Sequence, residues 1–279
     1  CINLMKGAID YSDFVSTGSP TYAKEICSPQ YAHGLEDILN KNSYKLRGIL
    51  NGIDYDVYNP ATNKSLFVNY DADHLDKKAE NKTQLQQMLG LNVDPGAPLI
   101  AMITRLVNHK GIGLVRSAFN DIMNSGAQFV LLGTGDADHE NFFRHMQNLY
   151  GNRVHAAITF NKDLAQKIYA AADIFLMPSL SEPCGLSQMI ALRYGTVPVA
   201  RSTGGLKDSI IDCGDGHSGN GFVFGGVNAG ELIYAVQRAV GLYYVYGDIW
   251  KELRQRTVEC DFSWNNSAKA NQAFYDEMV

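Results

Sequence analysis

The stretch Phe175-Leu-Met-Pro-Ser-Leu-Ser-Glu-Pro-Cys-Gly-Leu-Ser-Gln188 contains a buried strand, a polar turn and the start of a helix. The apolar run Ile174–Met177 has the length of a strand, a proline ends it, and an amphipathic helix is predicted over residues 185–194. The carboxylate of Glu182 therefore lies at the carboxyl end of a strand. Ligands of open α/β sheets bind at that edge, and the N–H groups that begin a helix attract anions such as a diphosphate. Alone, the stretch is more typical of a solvated loop acid with a helix cap than of a ligand site.

Short apolar runs alternate with amphipathic segments on both sides of this stretch. Strands are predicted at 99–104, 128–132, 154–160, 174–177, 197–200 and 222–224, and helices at 112–123, 141–150, 164–172, 185–194, 206–212 and 229–246. Six strands that alternate with helices predict a doubly wound, parallel, Rossmann-like α/β sheet. Helices at 249–259 and 264–278 close the chain, and the sequence shows no partner for the partly apolar stripe of the last one.

Composition excludes several classes of protein. The 279 residues are 46% hydrophobic and 19% charged, as in a globular protein with a sizeable core. A net charge of -5 gives no general basic field for nucleic acid or an anionic membrane, and no apolar run approaches transmembrane length. The five cysteines have neither disulfide-framework nor zinc spacing, which fits a reducing compartment.

A second stretch places cations at the same edge of the predicted sheet. Arg105 and Lys110 lie five residues apart in one strand-to-helix loop, where a guanidinium fork and an ammonium can hold a diphosphate. The alternative is an ordinary basic surface loop. We favour the anion site, because coincidence at two strand ends is less probable than at one.

Other motifs carry less information. Thr203 and Gly204 begin a Gly-Gly turn after the fifth strand, where backbone N–H groups could approach a phosphate or sugar. The glycines of residues 133–135 are too few for a dinucleotide fingerprint. The Asp-x-Asp pairs at 71–73 and 136–138 are interpreted as solvated turns in a linker and a polar loop, and we expect no metal.

Several motifs together resemble the bacterial glycogen synthase and plant starch synthase family, from end to end of the chain. They are Thr104-Arg-Leu-Val-Asn-His-Lys-Gly111, Ser181-Glu-Pro-Cys-Gly-Leu-Ser-Gln188, Thr203-Gly-Gly-Leu206 and Asp261-Phe-Ser-Trp264, supported by Gly48-Ile-Leu-Asn-Gly-Ile-Asp54 and Lys78-Ala-Glu-Asn-Lys82. The resemblance implies a two-domain GT-B fold and a retaining transfer of glucose from ADP-glucose to the nonreducing end of an α-1,4-glucan. The N-terminal Lys-x-Gly-Gly-Leu motif of the family is absent, and the chain begins with Cys1, so we expect a piece of a longer protein.

The resemblance also implies the domains. Residues 1–52 correspond to the end of the N-terminal acceptor domain and the hinge, residues 53–262 to the nucleotide-sugar-binding domain, and residues 263–279 to a helix that crosses back. It implies ADP-glucose and the glucan as ligands. From the residues themselves we expect no cofactor, metal, nucleic acid or membrane, and the unpartnered stripe of the last helix would allow a homodimer. The location would be the cytoplasm of a bacterium or the plastid of a plant or alga.

Carried over by position, the resemblance assigns catalytic roles to Arg105 and Lys110, on the leaving diphosphate, and to Glu182, on the donor glucose. It assigns substrate binding to Asn51, Phe160, Cys184, Gly185, Leu186, Ser187, Thr203 and Gly204, with Phe160 stacked on adenine and Ser187 where the family usually has Thr. Since this chemistry needs a cleft between two domains, we expect little turnover from the piece alone. A UDP-sugar transferase and a non-catalytic nucleotide-binding or assembly module are the alternatives.

Overall fold

A parallel sheet forms the centre of the computed structural model, which describes residues 3–277. The strands, in chain order, are β1 Val15–Thr17, β2 Leu46–Gly48, β3 Leu99–Ile103, β4 Gln128–Leu132, β5 Val154–Ala157, β6 Ile174–Met177, β7 Val197–Arg201 and β8 Phe222–Phe224. Strands β3 to β8 form one sheet in the order β5-β4-β3-β6-β7-β8, with every neighbouring pair parallel. The predicted doubly wound α/β sheet is therefore confirmed.

Helices pack on both faces of this sheet and in the segments that flank it. They are α1 Leu4–Tyr11, α2 Pro20–Glu25, α3 Glu36–Lys41, α4 Lys78–Leu89, α5 Ile112–Asn124, α6 Ala137–Tyr150, α7 Lys162–Ala171, α8 Ser187–Arg193, α9 Gly204–Ser209, α10 Ala229–Val245, α11 Gly247–Glu259 and α12 Trp264–Asp276. Alternate residues of β3 point to opposite faces: Ile100 and Met102 pack with α5 and α10, whereas Leu99 and Ala101 pack with α4 and α7. Burial on both faces explains why the strands are continuously apolar.

Three predicted boundaries are wrong. Strand β5 ends at Ala157 rather than residue 160, because its partner β4 ends at Leu132 and offers no further ladder. Helix α6 begins at Ala137, so Asp138 of the second Asp-x-Asp pair lies in the first turn of a helix, where acidic side chains are favourable, instead of in a loop. Helix α9 covers Gly204–Ser209 rather than 206–212.

The last helix, for which the sequence shows no partner, has one in the structure. Phe274 of α12 is buried and meets Phe14 edge to face, with ring centroids 5.4 Å apart. Ser267 Oγ donates a hydrogen bond of 2.8 Å to the carbonyl of Leu50. The helix thus packs on the segment that precedes the hinge, where β1 and β2 form a separate two-stranded sheet. Residue 278, predicted in this helix, lies outside the described residues.

Helices of the described chain are too short or too polar to cross a membrane.

Lys78 supplies a pH-dependent contribution to stability. Its ammonium is fully enclosed and donates to the carbonyls of Tyr169 and Ala170 and to Thr196 Oγ1, at 2.7 to 2.9 Å. Burial, with a smaller effect from Arg254, holds the pKa of Lys78 well below its ordinary value of 10.5. At pH values between the lowered pKa of the folded protein and the ordinary pKa, the unfolded chain binds more protons than the folded chain. The free energy of unfolding therefore rises with pH in that range.

We expect Lys78→Met to remove this dependence. The methionine fits the space, and Thr196 Oγ1 still donates to Tyr169 O, so no new buried donor loses its acceptor. Urea unfolding of both proteins from pH 7 to pH 10 measures the difference, which should grow with pH in favour of the wild-type protein. Parallel pH profiles would contradict the assignment.

Candidate functional site

Neighbouring strands β3 and β6 bring the two predicted ligand loops together. The loop after β3 contacts the loop after β6 through a 2.8 Å hydrogen bond from Leu180 N to His109 O. Gly111 has a φ of +73°, and a Cβ there would lie 1.9 Å from the carbonyl oxygen of Pro178. A side chain at this position would force the loops apart, so the Gly that follows Lys110 is required by the close approach.

Lys110 and Glu182 form the centre of the site. Lys110 Nζ lies 2.7 Å from Glu182 Oε2, and Ser179 Oγ donates to the same oxygen at 2.9 Å. Glu182 is only 6% exposed, so it is not a solvated loop acid. A carboxylate held this firmly by a cation and a hydroxyl keeps one oxygen, Oε1, available for another donor such as a sugar hydroxyl.

Two adjoining cavities lie at this edge of the sheet, and the Lys110–Glu182 pair lines the first of them. The first, of about 160 Å³, is lined by Lys110, Glu182, Gly185, Leu186 and Ser187 together with the ends of β3 and β6. Gly185 has a φ of +73°, which lets the chain turn sharply from the carboxylate into α8. The first cavity therefore combines a cation, a carboxylate and the start of a helix.

The second cavity, of about 480 Å³, adjoins the first and shares Leu186 and Ser187 with it. Arg105 lies on its wall, and Phe160 lies at its rim with 82% of its surface exposed. Tyr58, from the segment after the hinge, also lines it, and sequence reasoning missed this residue. An exposed aromatic next to a cation suits a nucleotide base and its phosphates.

Asn51 and Cys184 lie together behind Glu182. The Asn51 N–H donates to Cys184 Sγ at 3.4 Å, which joins the hinge to the loop. Burial raises the pKa of the Cys184 thiol, so this sulfur stays protonated and is a poor nucleophile.

Thr203 and Gly204 already have partners within the protein. Thr203 Oγ1 and the Gly204 N–H both donate to the carboxylate of Glu25, at 3.0 Å each to Oε1. Their predicted contact with substrate stays a prediction. Sequence reasoning did not single out Glu25, because it lies 178 residues from Thr203 and only the fold brings the two together.

No group of three or more His, Cys, Asp or Glu side chains within residues 3–277 is arranged to hold a metal ion. Asp71 instead accepts from the backbone N–H of Asp73 and pairs with His74 at 2.7 Å. The side chain of Asp71 thus serves as a local cap.

Comparison with known families identifies two matches. The family model described as "Glycosyl transferases group 1" matches residues 85–255, which contain the site. The model described as "Starch synthase catalytic domain" matches residues 1–41.

Individual relatives agree with these matches. The chain is 47% identical over 279 residues to the glycogen synthases of Thermosipho melanesiensis and Pseudothermotoga lettingae, and covers 58% and 57% of their lengths. It superposes with a TM-score of 0.93, at 40% identity, on the "Catalytic domain of Starch Synthase IV from Arabidopsis thaliana bound to ADP and acarbose", covering 99% of this chain and 58% of that one. These similarities confirm the GT-B type of fold. The chain spans less than three-fifths of the length of these relatives.

Proposed function

We propose, because this chain belongs to the glycosyl transferases group 1 family, that it is the donor-binding part of a glycogen or starch synthase. The whole protein would transfer glucose from ADP-glucose to the nonreducing end of an α-1,4-glucan, with retention. The observation that carries this proposal is the pairing of Lys110 with Glu182 in a cavity that adjoins a second one lined by Arg105 and Phe160. The smaller cavity suits a sugar diphosphate, and the larger one suits the nucleoside.

The charges explain how such a site would act. As the bond between glucose C1 and the diphosphate oxygen breaks, positive charge develops on the sugar and negative charge on the leaving diphosphate. Arg105 and Lys110 would stabilise the diphosphate, an effect that can contribute roughly 3 to 4 kcal/mol per donor. Glu182 would hold hydroxyls of the glucose, and the departing phosphate oxygen would take the proton of the incoming glucan hydroxyl. With two cations in place, charge neutralisation requires no metal.

The acceptor would bind in a cleft completed by the remainder of the longer protein. In this reading residues 1–52 are the end of that other domain, and the contact of α12 with this segment through Phe274 and Phe14 supports the assignment. Without a closed cleft, water is not excluded from the donor. We therefore expect this chain to bind nucleotide but to turn over little or no donor.

Donor choice is tested at Phe160. We expect ADP-glucose to bind more tightly than UDP-glucose, because a purine offers a larger face to an exposed aromatic ring. Phe160→Ala should weaken ADP-glucose binding about five- to hundredfold, since stacking of a base on an aromatic contributes roughly 1 to 3 kcal/mol. Calorimetric titration measures both effects, and Tyr234→Ala, another exposed aromatic outside both cavities, is the matched control. Tighter binding of UDP-glucose would favour a UDP-sugar transferase instead.

A further inference from the structure

Helices α2 and α9 lie antiparallel and cap each other. Asp208, at the end of α9, accepts hydrogen bonds from the Thr21 N–H at 2.8 Å and from Thr21 Oγ1 at 2.6 Å. In return Glu25, at the end of α2, accepts from Thr203 Oγ1 and the Gly204 N–H. Each carboxylate satisfies donors at the N-terminus of the other helix, which otherwise have no intrahelical acceptor.

The Glu25 end of this helix pair lies directly on the loop that carries Glu182. The Gly205 N–H donates to Glu182 O at 3.0 Å. A Cβ on Gly204 would lie 1.9 Å from that same carbonyl oxygen, and a Cβ on Gly205 would lie 2.0 Å from Cys184 O. The backbone of the first turn of α9 is thus in van der Waals contact with the backbone of residues 182–184, and a shift of one moves the other.

Water cannot easily replace the Glu25 carboxylate as an acceptor, because the donors that it binds are buried. Thr203 is completely buried, and Gly204 is buried as well. Removal of the carboxylate would leave a hydroxyl and an N–H without an acceptor, and a buried donor without a partner costs more free energy than a solvated one. The first turn of α9 would have to move towards solvent to recover hydrogen bonds. Glu182 O would then lose its fixed donor.

We propose that Glu25 is a positioning residue for Glu182. Its carboxylate fixes the start of α9, α9 fixes the backbone of the Glu182 loop, and that loop presents the Glu182 side chain to Lys110 and the sugar. This inference rests on the proposed function, in which Glu182 holds the donor glucose. A residue from the segment before the hinge therefore helps to shape the donor site.

Hydrogen exchange tests the structural half of this proposal without any ligand. In Glu25→Ala we expect amide exchange across residues 179–187 and 203–206 to accelerate by about tenfold or more. Local opening of this region then costs less free energy, because the hydrogen bonds to the charged Glu25 carboxylate are already absent. Asp208→Ala is the matched control: it removes the same chemistry from the same helix pair, but its donors lie in α2, so residues 179–187 should keep their protection. Unchanged exchange in Glu25→Ala, or equal acceleration in both variants, would overturn the proposal.

Binding tests the functional half. The ratio of the Kd for ADP-glucose to the Kd for ADP isolates the contribution of the sugar to binding. We expect Glu25→Ala to raise this ratio about tenfold. When Glu182→Gln is already present, adding Glu25→Ala should cause no further rise. Glu25→Gln keeps an acceptor oxygen and should restore most of the ratio. Additive effects of Glu25→Ala and Glu182→Gln would show a merely structural role. Should the wild-type chain bind neither nucleotide, the proposed function fails, whereas exchange still decides the role of Glu25.

Discussion

Replacing Lys110 by methionine is expected to weaken ADP-glucose binding by about two orders of magnitude, and to lower the free energy of unfolding by about 3 kcal/mol. The first effect follows from the loss of a cation that, in the proposed function, would face the leaving diphosphate. The second follows from the 2.7 Å ion pair with Glu182, because that carboxylate, 6% exposed, would remain buried without its counter-charge. Titration calorimetry and urea unfolding measure the two effects.

A double variant separates the two roles of Lys110. Lys110→Met with Glu182→Gln removes the buried charge, and Ser179 Oγ can still donate to the side-chain oxygen, so most of the lost stability should return. Affinity for ADP-glucose should not return, because neither the cation nor the carboxylate is restored. Wild-type affinity in the single variant, or recovered affinity in the double variant, would contradict the assigned role.

Replacing Lys82 by methionine is expected to lower the free energy of unfolding by about 3–5 kcal/mol. Lys82 Nζ lies 2.7 Å from Asp173 Oδ2, and the two side chains are only 3% and 10% exposed. Asp173 also accepts from the Leu99 N–H at 2.8 Å, where β3 begins. Breaking the pair therefore leaves an uncompensated carboxylate beside the central strands. Chemical unfolding by urea measures the loss.

Asp173→Asn provides the control for the loss of stability expected in Lys82→Met. The amide keeps an oxygen that can accept from Leu99 N but carries no charge, so adding it to Lys82→Met should recover a large part of the stability. A single variant that unfolds at the same urea concentration as the wild-type protein would show that Asp173 finds another partner.

The fold was predictable because its signals are local. Strands β4, β6 and β8 begin and end at the residues that the sequence predicts. The predicted end of a strand was wrong where a neighbouring strand determines it. Strand β5 ends at the same level as β4, although apolar residues follow it in the sequence. The resemblance implied that the last helix crosses back, but the packing of Phe274 on Phe14 could not be predicted, because no pattern within α12 reveals which residue lies opposite it.

The sequence predicts which residues gather at the candidate site, but not which of them contact each other. Parallel strands place their carboxyl ends together, so Arg105, Lys110 and Glu182 could be expected at one edge. The direct pairing of Lys110 with Glu182 depends on the depth to which the loop after β6 folds back, which the sequence does not encode locally. The contact of Glu25 with Thr203 spans 178 residues and depends on the whole fold.

The central claim is that the edge between β3 and β6 binds a nucleoside diphosphate. Calorimetric titration of this chain with ADP tests it most directly, together with Arg105→Ala and, as a control, Arg144→Ala, whose side chain is 52% exposed and pairs with Glu140. We predict saturable one-to-one binding in the wild-type chain, the same affinity in Arg144→Ala, and a loss of about a hundredfold or more in Arg105→Ala. Binding that is absent from the wild-type chain, or equally strong in Arg105→Ala, would contradict it.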